Sequence, residues 1–341
     1  MQKQALFYTK EKDQVRCLLC PRRCLIKEGQ AGFCGVRRVV RGELYTENYA
    51  LCAALQWDPV EKKPLYHFYP GHQILSLGTY GCNLRCSFCQ NWSLARGRPG
   101  RLPGRSVETM LTPAQVLAGL QREGSPAEVV GVAYTYNEPF VWYEFVLETA
   151  RLLHEHGYRN VLVTNGFISR EALEKLLPYI DALNIDVKAF SDSFYEKYCR
   201  GMRHPVLETV ELAATSAHVE VTCLLIPTLN DNPEELAELT GWLAGINPDL
   251  PLHFSRYFPQ YKMDLPPTPI ETMEKAREIA LRKLRHVYLG NVDLPGGSDT
   301  LCPQCGALLI TRRYYQTRIT GLEGNRCLAC GACINLVAGP V

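Results

Sequence analysis

Short apolar runs recur through the middle of the chain, and between them lie stretches whose apolar positions follow a helical period. The runs predict strands over 74–77, 129–134, 160–163, 182–187, 219–226, 252–255 and 287–289. Helix starts stand between them. Thr112-Pro113 pairs a capping residue with proline, 169–177 forms another helical stretch behind Ser169, and Asn232-Pro233-Glu234-Glu235 repeats the device. Regular alternation of strand and helix predicts an α/β fold with a parallel sheet and crossover helices, a complete or partial β/α barrel. A doubly wound open sheet is the competing arrangement, because periodicity alone does not set strand order.

On a barrel, chemistry gathers where strands end, so the polar residues after each run gain weight. They are Thr135-Tyr136-Asn137-Glu138-Pro139, Thr164-Asn165-Gly166, Asp186-Val187-Lys188, Pro227-Thr228-Leu229-Asn230-Asp231, and His253, Ser255 and Arg256. Each has a plainer reading as a turn former or a structural polar group. Their convergence on one end of one sheet favours an active-site rim.

The first run is followed by Cys82, Cys86 and Cys89 in G81-C-N-L-R-C-S-F-C-Q-N91. Three closely spaced thiolates can hold an iron–sulfur cube while leaving one iron without a protein ligand, open to substrate or cofactor. Zinc more naturally takes paired Cys-x-x-Cys knuckles. Of the fifteen cysteines, twelve fall in three groups. Cys17, Cys20, Cys24 and Cys34 form the first, enough for a second metal site holding zinc or a further iron–sulfur cluster, either as an electron relay or, more plainly, as a staple for a loop-rich segment. Cys302, Cys305, Cys327 and Cys330 have the spacing of a zinc ribbon, with Cys333 as a fifth thiol that is spare or turns the run toward iron–sulfur. Cys52, Cys199 and Cys223 read as small buried hydrophobes.

Composition narrows the class. The chain is 46% hydrophobic with a formal net charge of +2, so no global basic field argues for nucleic acid. No apolar stretch is long enough to span a bilayer and no signal peptide opens the chain, so the expectation is a cytoplasmic enzyme whose cysteines are metal ligands. Arg96, Arg98, Arg101 and Arg105 sit in a Gly- and Pro-rich loop behind the triplet, suited to an acidic substrate or partner and more plainly a solvated lid. Arg22, Arg23, Arg37, Arg38 and Arg41 near the first cysteines are expected at the surface, and His154 and His156 suit the end of a helix.

These motifs carry a resemblance. Cys82, Cys86 and Cys89, with Phe88 as the aromatic, match the cluster motif of radical S-adenosylmethionine (SAM) enzymes. The longer series resembles the AmmeMemoRadiSam-system branch, itself similar to pyruvate formate-lyase activating enzymes. It comprises C-x-L-C-P-R-x-C and G-x-C-G-V-R near the start, E61-K-K-P-L-Y-H-F-Y-P-G71, Tyr134-Thr-Tyr-Asn-Glu-Pro139, V163-T-N-G166 and N184-I-D-V-K-A-F190. It continues through I226-P-T-L-N-D231, H253-F-S-R256, Y288-L-G-N-V292 and the terminal C-P-x-C-G. Phe140 departs from the branch, which carries threonine after Asn-Glu-Pro.

The resemblance implies a [4Fe-4S] cluster on Cys82, Cys86 and Cys89 that cleaves SAM reductively, giving a 5′-deoxyadenosyl radical that abstracts a substrate hydrogen. It implies that Asn137 and Glu138 meet the SAM ammonium, Thr164 and Asn165 the ribose or methionine, and Asp186 and Lys188 the carboxylate or a cation. Ile226 would line the adenine, and His253 would approach ribose or substrate. An external low-potential electron donor is required. The substrate is a small molecule or a protein, with Memo-type and Amme-type pathway proteins as candidate partners. A glycyl-radical activase and a non-catalytic electron-transfer or scaffold protein are the alternatives. Three parts are expected: a cysteine-rich extension over 1–72, the radical SAM barrel core over 73–298, and a ribbon-like module over 299–341.

Overall fold

The computed structural model describes residues 2–97, 108–125 and 128–339. Its main sheet contains β1 (Ala54–Pro59), β2 (Gln73–Gly78), β3 (Gly131–Tyr134), β4 (Arg159–Thr164), β5 (Ala182–Asp186), β6 (His218–Leu225), β7 (Leu252–Arg256) and β8 (Val287–Gly290). They pair in simple chain order, parallel from β2 to β8, with β1 antiparallel on the edge beside β2. Sequential order without a reversal removes the doubly wound alternative, which needs a switch point in the sheet. β1 and β8 are not paired to one another, so this is a partial barrel.

The crossovers are α1 (Pro113–Glu123), α2 (Tyr143–Glu155), α3 (Arg170–Leu176), α4 (His204–Ala213), α5 (Pro233–Ile246) and α6 (Ile270–Leu281). Thr112 and Gln115 form a reciprocal capping box at α1, and the Asn232 side chain accepts from the Glu235 amide at α5. Ser169 precedes α3 but does not cap it. Its hydroxyl donates instead to the Leu18 carbonyl at 2.6 Å, tying the helix to the first cysteine segment. The strands β3 to β6 have near-continuous burial, as expected for a sheet covered on one side by helices and filled on the other.

The open barrel is filled from within by the segment around 64–68. Pro64 accepts from the Asn184 side chain, and the Tyr66 and His67 amides donate to Glu220 at 3.0 and 2.7 Å. Tyr66 packs edge-on against His253 and near Tyr288, so this segment touches four consecutive strands, β5 to β8. Glu220 is fully buried, and the two histidines bonded to its carboxylate hold it well below the usual carboxylate range, against the effect of burial.

Small antiparallel sheets precede and follow the barrel. At the front, Lys3–Gln4, Glu43–Thr46 and Arg37–Val40 form one, and Tyr8–Glu11, Gln14–Cys17 and Leu25–Lys27 another. Arg37 is 1% exposed, which corrects its expected place at the surface. Its guanidinium donates to both Glu144 oxygens, at 3.0 and 3.1 Å, and to the Leu6 carbonyl, locking the front segment onto α2. At the rear, Arg312 of the strand Leu308–Arg313 donates to the Tyr66 carbonyl at 2.7 Å and stacks over its ring.

Candidate functional site

The strand ends of the sheet surround a cavity of about 440 Å³. Cys82, Cys86 and Cys89 open onto it from the loop after β2, together with Phe88, Asn137, Glu138, Thr164, Asn165, Asp186 and Lys188. The sequence-derived rim is thus largely one surface. Burial pushes the Cys89 thiol up to about 11 and raises that of Cys82, while the hydrogen bond with Cys199, together with burial, raises that of Cys86, so thiolates here require a compensating cation.

The loop after β3 is built around two side chains. Asn137 accepts from the Thr79 amide at 3.0 Å and donates to the Gly81 carbonyl at 2.9 Å, fixing the backbone that leads into Cys82. Glu138, 2% exposed, accepts from the Phe140 amide, the Thr164 hydroxyl and the Asn165 amide at 3.0, 2.7 and 2.8 Å. Burial outweighs these donors and lifts its carboxyl to about 7. Phe140 is buried beneath this loop. Tyr136 holds a left-handed φ of 71°, a conformation disfavoured for an aromatic residue, and its hydroxyl donates to Asp58 at 2.6 Å.

Asn165 continues the support toward the cysteines. Its side-chain Nδ2 lies 3.6 Å from the Cys82 sulfur and 2.9 Å from the Asn83 side-chain oxygen. Across the cavity, Lys188 Nζ stands 2.6 Å from Asp186 Oδ2. Desolvation works to lower Lys188, but the Asp186 charge overrides it and holds the ammonium above its ordinary range. The loop after β6 backs this pair, since Asn230 donates to the Lys188 carbonyl at 2.7 Å.

Two expected contacts fall elsewhere. His253 does not line the cavity; it is buried one layer down, its Nε2 2.6 Å from Glu220. Inward side chains alternate along a strand, and Ser255, two residues later, occupies the rim in its place. Ile226 is buried, with its amide bonded to the Asn230 side chain, and is not among the lining residues. The structure adds Lys62 and Lys63, which reach the cavity from the turn after β1; Asp58 pairs with both at 2.7 Å. Their signal was the E61-K-K-P motif itself, which no strand-end rule selects.

The accessory cysteines divide. Cys302, Cys305, Cys327 and Cys330 bring their sulfurs within 4.8 Å of one another, with Cys302–Cys330 at 3.6 Å and Cys305–Cys327 at 3.8 Å. Cys333 is exposed, 3.4 Å from the Asn325 side chain, and outside that group. Cys17, Cys20, Cys24 and Cys34 line a second, smaller cavity. Cys52 and Cys223 are buried as expected. Cys199 is buried too, but its thiol is hydrogen-bonded to Cys86. Of the arginine loop, Arg96 donates to the Leu84 carbonyl, while Arg98, Arg101 and Arg105 lie outside the described residues. No helix of the described residues is long and apolar enough to cross a membrane.

Comparison with known proteins agrees with this arrangement. The Radical SAM superfamily profile matches residues 76–240, from β2 through most of α5. An uncharacterized protein of Methanocaldococcus jannaschii is 45% identical over 342 residues, covering 98% of this chain and 99% of its own. The pyruvate formate-lyase-activating enzyme of Clostridium pasteurianum is 27% identical over 225 residues, 60% of this chain and 86% of that enzyme. A solved radical SAM methyltransferase from Sphaerobacter thermophilus aligns with TM-score 0.49 at 18% identity, over 71% of each chain. With a sequential parallel sheet, a cysteine triplet at the end of its first parallel strand and the superfamily profile spanning both, residues 76–240 form a radical SAM domain and the protein is a radical SAM enzyme.

Proposed function

We propose that the cavity binds SAM against a [4Fe-4S] cluster held by Cys82, Cys86 and Cys89, and that the enzyme abstracts hydrogen from a substrate admitted at the same rim. Superfamily membership implies both groups. The donor set fits them. The triplet is not a single-ion site, since among the described residues the only group of three or more ligand atoms mutually within 4.8 Å is the C-terminal quartet. A cube spreads its thiolates over separate irons, and a 440 Å³ space is of the size that encloses a ligand as large as SAM. When bound, these groups supply reductive cleavage of the sulfonium to methionine and a 5′-deoxyadenosyl radical.

The chain's own residues orient and isolate that chemistry. Asn137 and Glu138 present oxygens to the SAM ammonium, and Lys188, charged at neutral pH by Asp186, pairs with its carboxylate. Thr164 and Asn165 stand between Glu138 and Cys82, so movement of the amino-group site is felt at the cluster loop. Phe88 excludes water from one side. Ser255 takes the contact first expected of His253, and Leu224 the apolar contact expected of Ile226. The C-terminal quartet fits structural zinc, because tetrahedral Zn–S bonds of about 2.3 Å put sulfurs about 3.8 Å apart.

In this reading residues 1–72, 73–298 and 299–341 are extension, catalytic core and ribbon, although β1 from the extension joins the core sheet. The motif series supports a place in the AmmeMemoRadiSam system, with Memo-type and Amme-type proteins as partners and a low-potential donor supplying electrons. The likeness to pyruvate formate-lyase-activating enzymes favours a second reading, in which the hydrogen is removed from a glycine of a partner enzyme. The single observation that carries the proposal is the half-buried triplet facing Asn137, Glu138, Asp186 and Lys188 across one cavity. Anaerobic protein reconstituted with iron and sulfide, then given SAM and dithionite, is expected to form 5′-deoxyadenosine. Replacing Cys82, Cys86 and Cys89 together by Ala abolishes it; product from that variant would overturn the proposal. Deuterated candidate substrates then report the target by where deuterium enters deoxyadenosine.

A further inference from the structure

Cys17, Cys20, Cys24 and Cys34 line one cavity with Leu19, Ile26 and Phe33, close to the catalytic cavity but separate from it. Their spacing differs from that of the C-terminal quartet in the same molecule. There the sulfurs gather around a point, at separations matching a single tetrahedral zinc. The N-terminal sulfurs do not meet that condition, and neither do those of Cys82, Cys86 and Cys89. Thiolates bound to separate irons of a cube stand further apart and leave room between them. Wide spacing and an enclosed space therefore group the N-terminal quartet with the iron–sulfur triplet and not with the ribbon.

A second observation comes from Arg37. It lines the same cavity, is 1% exposed, and its Nε–H has no hydrogen-bond partner, although its other nitrogens hold Glu144 and the Leu6 carbonyl. A buried unpaired donor is costly, and cluster sulfur is an acceptor able to satisfy it. We propose that Cys17, Cys20, Cys24 and Cys34 hold a second [4Fe-4S] cluster, ligated wholly by protein, that relays electrons to the catalytic one.

The relay rests on the function proposed above and on the contact between the two cysteine loops. A Cβ on Gly81, the residue before Cys82, would lie 2.8 Å from the Cys34 carbonyl oxygen and 3.0 Å from Val36, so only glycine lets the two loops approach this closely. Arg22, which also lines the N-terminal cavity, donates to the Asn83 carbonyl; Asn83 is bonded to Asn165, and Asn165 to the Cys82 sulfur. With no iron position left open, four thiolates suit electron storage and transfer. One electron enters from a low-potential donor protein, oxidising that donor by one, and reduces the N-terminal cube from the 2+ to the 1+ state. It then passes to the catalytic cube, restoring the first to 2+, with no bond made or broken.

The test uses the full chain, purified and reconstituted anaerobically. Wild type is expected to bind about eight irons and eight sulfides, and the Cys82→Ala/Cys86→Ala/Cys89→Ala variant about four of each, with a reducible cluster whose spectrum ignores SAM. Because that variant leaves the N-terminal quartet untouched, it decides the metal whether or not N-terminal variants fold. Zinc in place of iron there overturns the cluster. A Cys20→Ser/Cys24→Ser variant is expected to keep about four irons and a SAM-responsive signal under dithionite, and to lose reduction by reduced ferredoxin. Reduction by ferredoxin at the wild-type rate overturns the relay. Wild type whose spectrum ignores SAM, beside a triple-alanine variant that retains its irons, refutes the catalytic reading and the relay while the second cluster stands.

Discussion

Glu138 makes SAM affinity depend on pH in a direction that follows from its surroundings. Burial lifts its carboxyl to about 7, and an ammonium partner needs the ionised form. A group titrating there is about one-tenth ionised at pH 6 and about nine-tenths at pH 8, so the population competent to pair with an ammonium rises about tenfold, equivalent to about 1.4 kcal/mol. Affinity should therefore strengthen as pH rises through 7 and level off above 8. The ligand's own amine titrates in the same range, so the assay compares wild type with Glu138→Gln, in which only the ligand's titration remains. Gln cannot accept from Phe140, Thr164 and Asn165 as a carboxylate does, so this variant should also bind more weakly at every pH. Binding to the anaerobic holoenzyme is measured from pH 6 to 8 by calorimetry or by the change in the cluster spectrum. Parallel pH profiles for the two proteins would refute the reasoning.

Other expectations follow from single contacts. Arg37→Met strands the buried Glu144 carboxylate and should cost about 3–5 kcal/mol in urea unfolding, whereas Arg37→Met/Glu144→Leu should recover most of that loss. Cys302→Ser should release zinc and lower the melting temperature while leaving iron content unchanged, as metal analysis of the purified variant would show. Lys188→Met leaves Asp186 without its partner and should weaken SAM binding at least about tenfold, the loss of one charge-assisted hydrogen bond.

Much of this molecule is legible in its sequence because buried parallel strands advertise themselves as apolar runs. The seven expected strands all form, within one or two residues at their ends. Strand order was not legible, since the same pattern serves a barrel and a doubly wound sheet, and hydrogen bonding alone decides. β1 escaped notice because Ala54–Pro59 exposes half of its side chains at the sheet edge and carries no apolar run. Cysteine spacing and the strand-end motifs identified most of the rim. Depth was the missing dimension: His253 and Ser255 share a face of β7, and only the packed barrel shows which of them reaches the rim. Arg37 was misread for a related reason, because its partner Glu144 lies 107 positions away.

The central claim is that three half-buried sulfurs at the cavity wall leave one corner of an iron cube open to SAM. Electron paramagnetic resonance of the anaerobically reduced holoenzyme, recorded with and without SAM carrying nitrogen-15 in its amino group, tests it directly. The account predicts a changed cluster signal and hyperfine coupling to that nitrogen, both absent once Cys82, Cys86 and Cys89 are replaced by alanine. A reduced cluster signal from the Cys82, Cys86 and Cys89 site that is identical with and without SAM would contradict it.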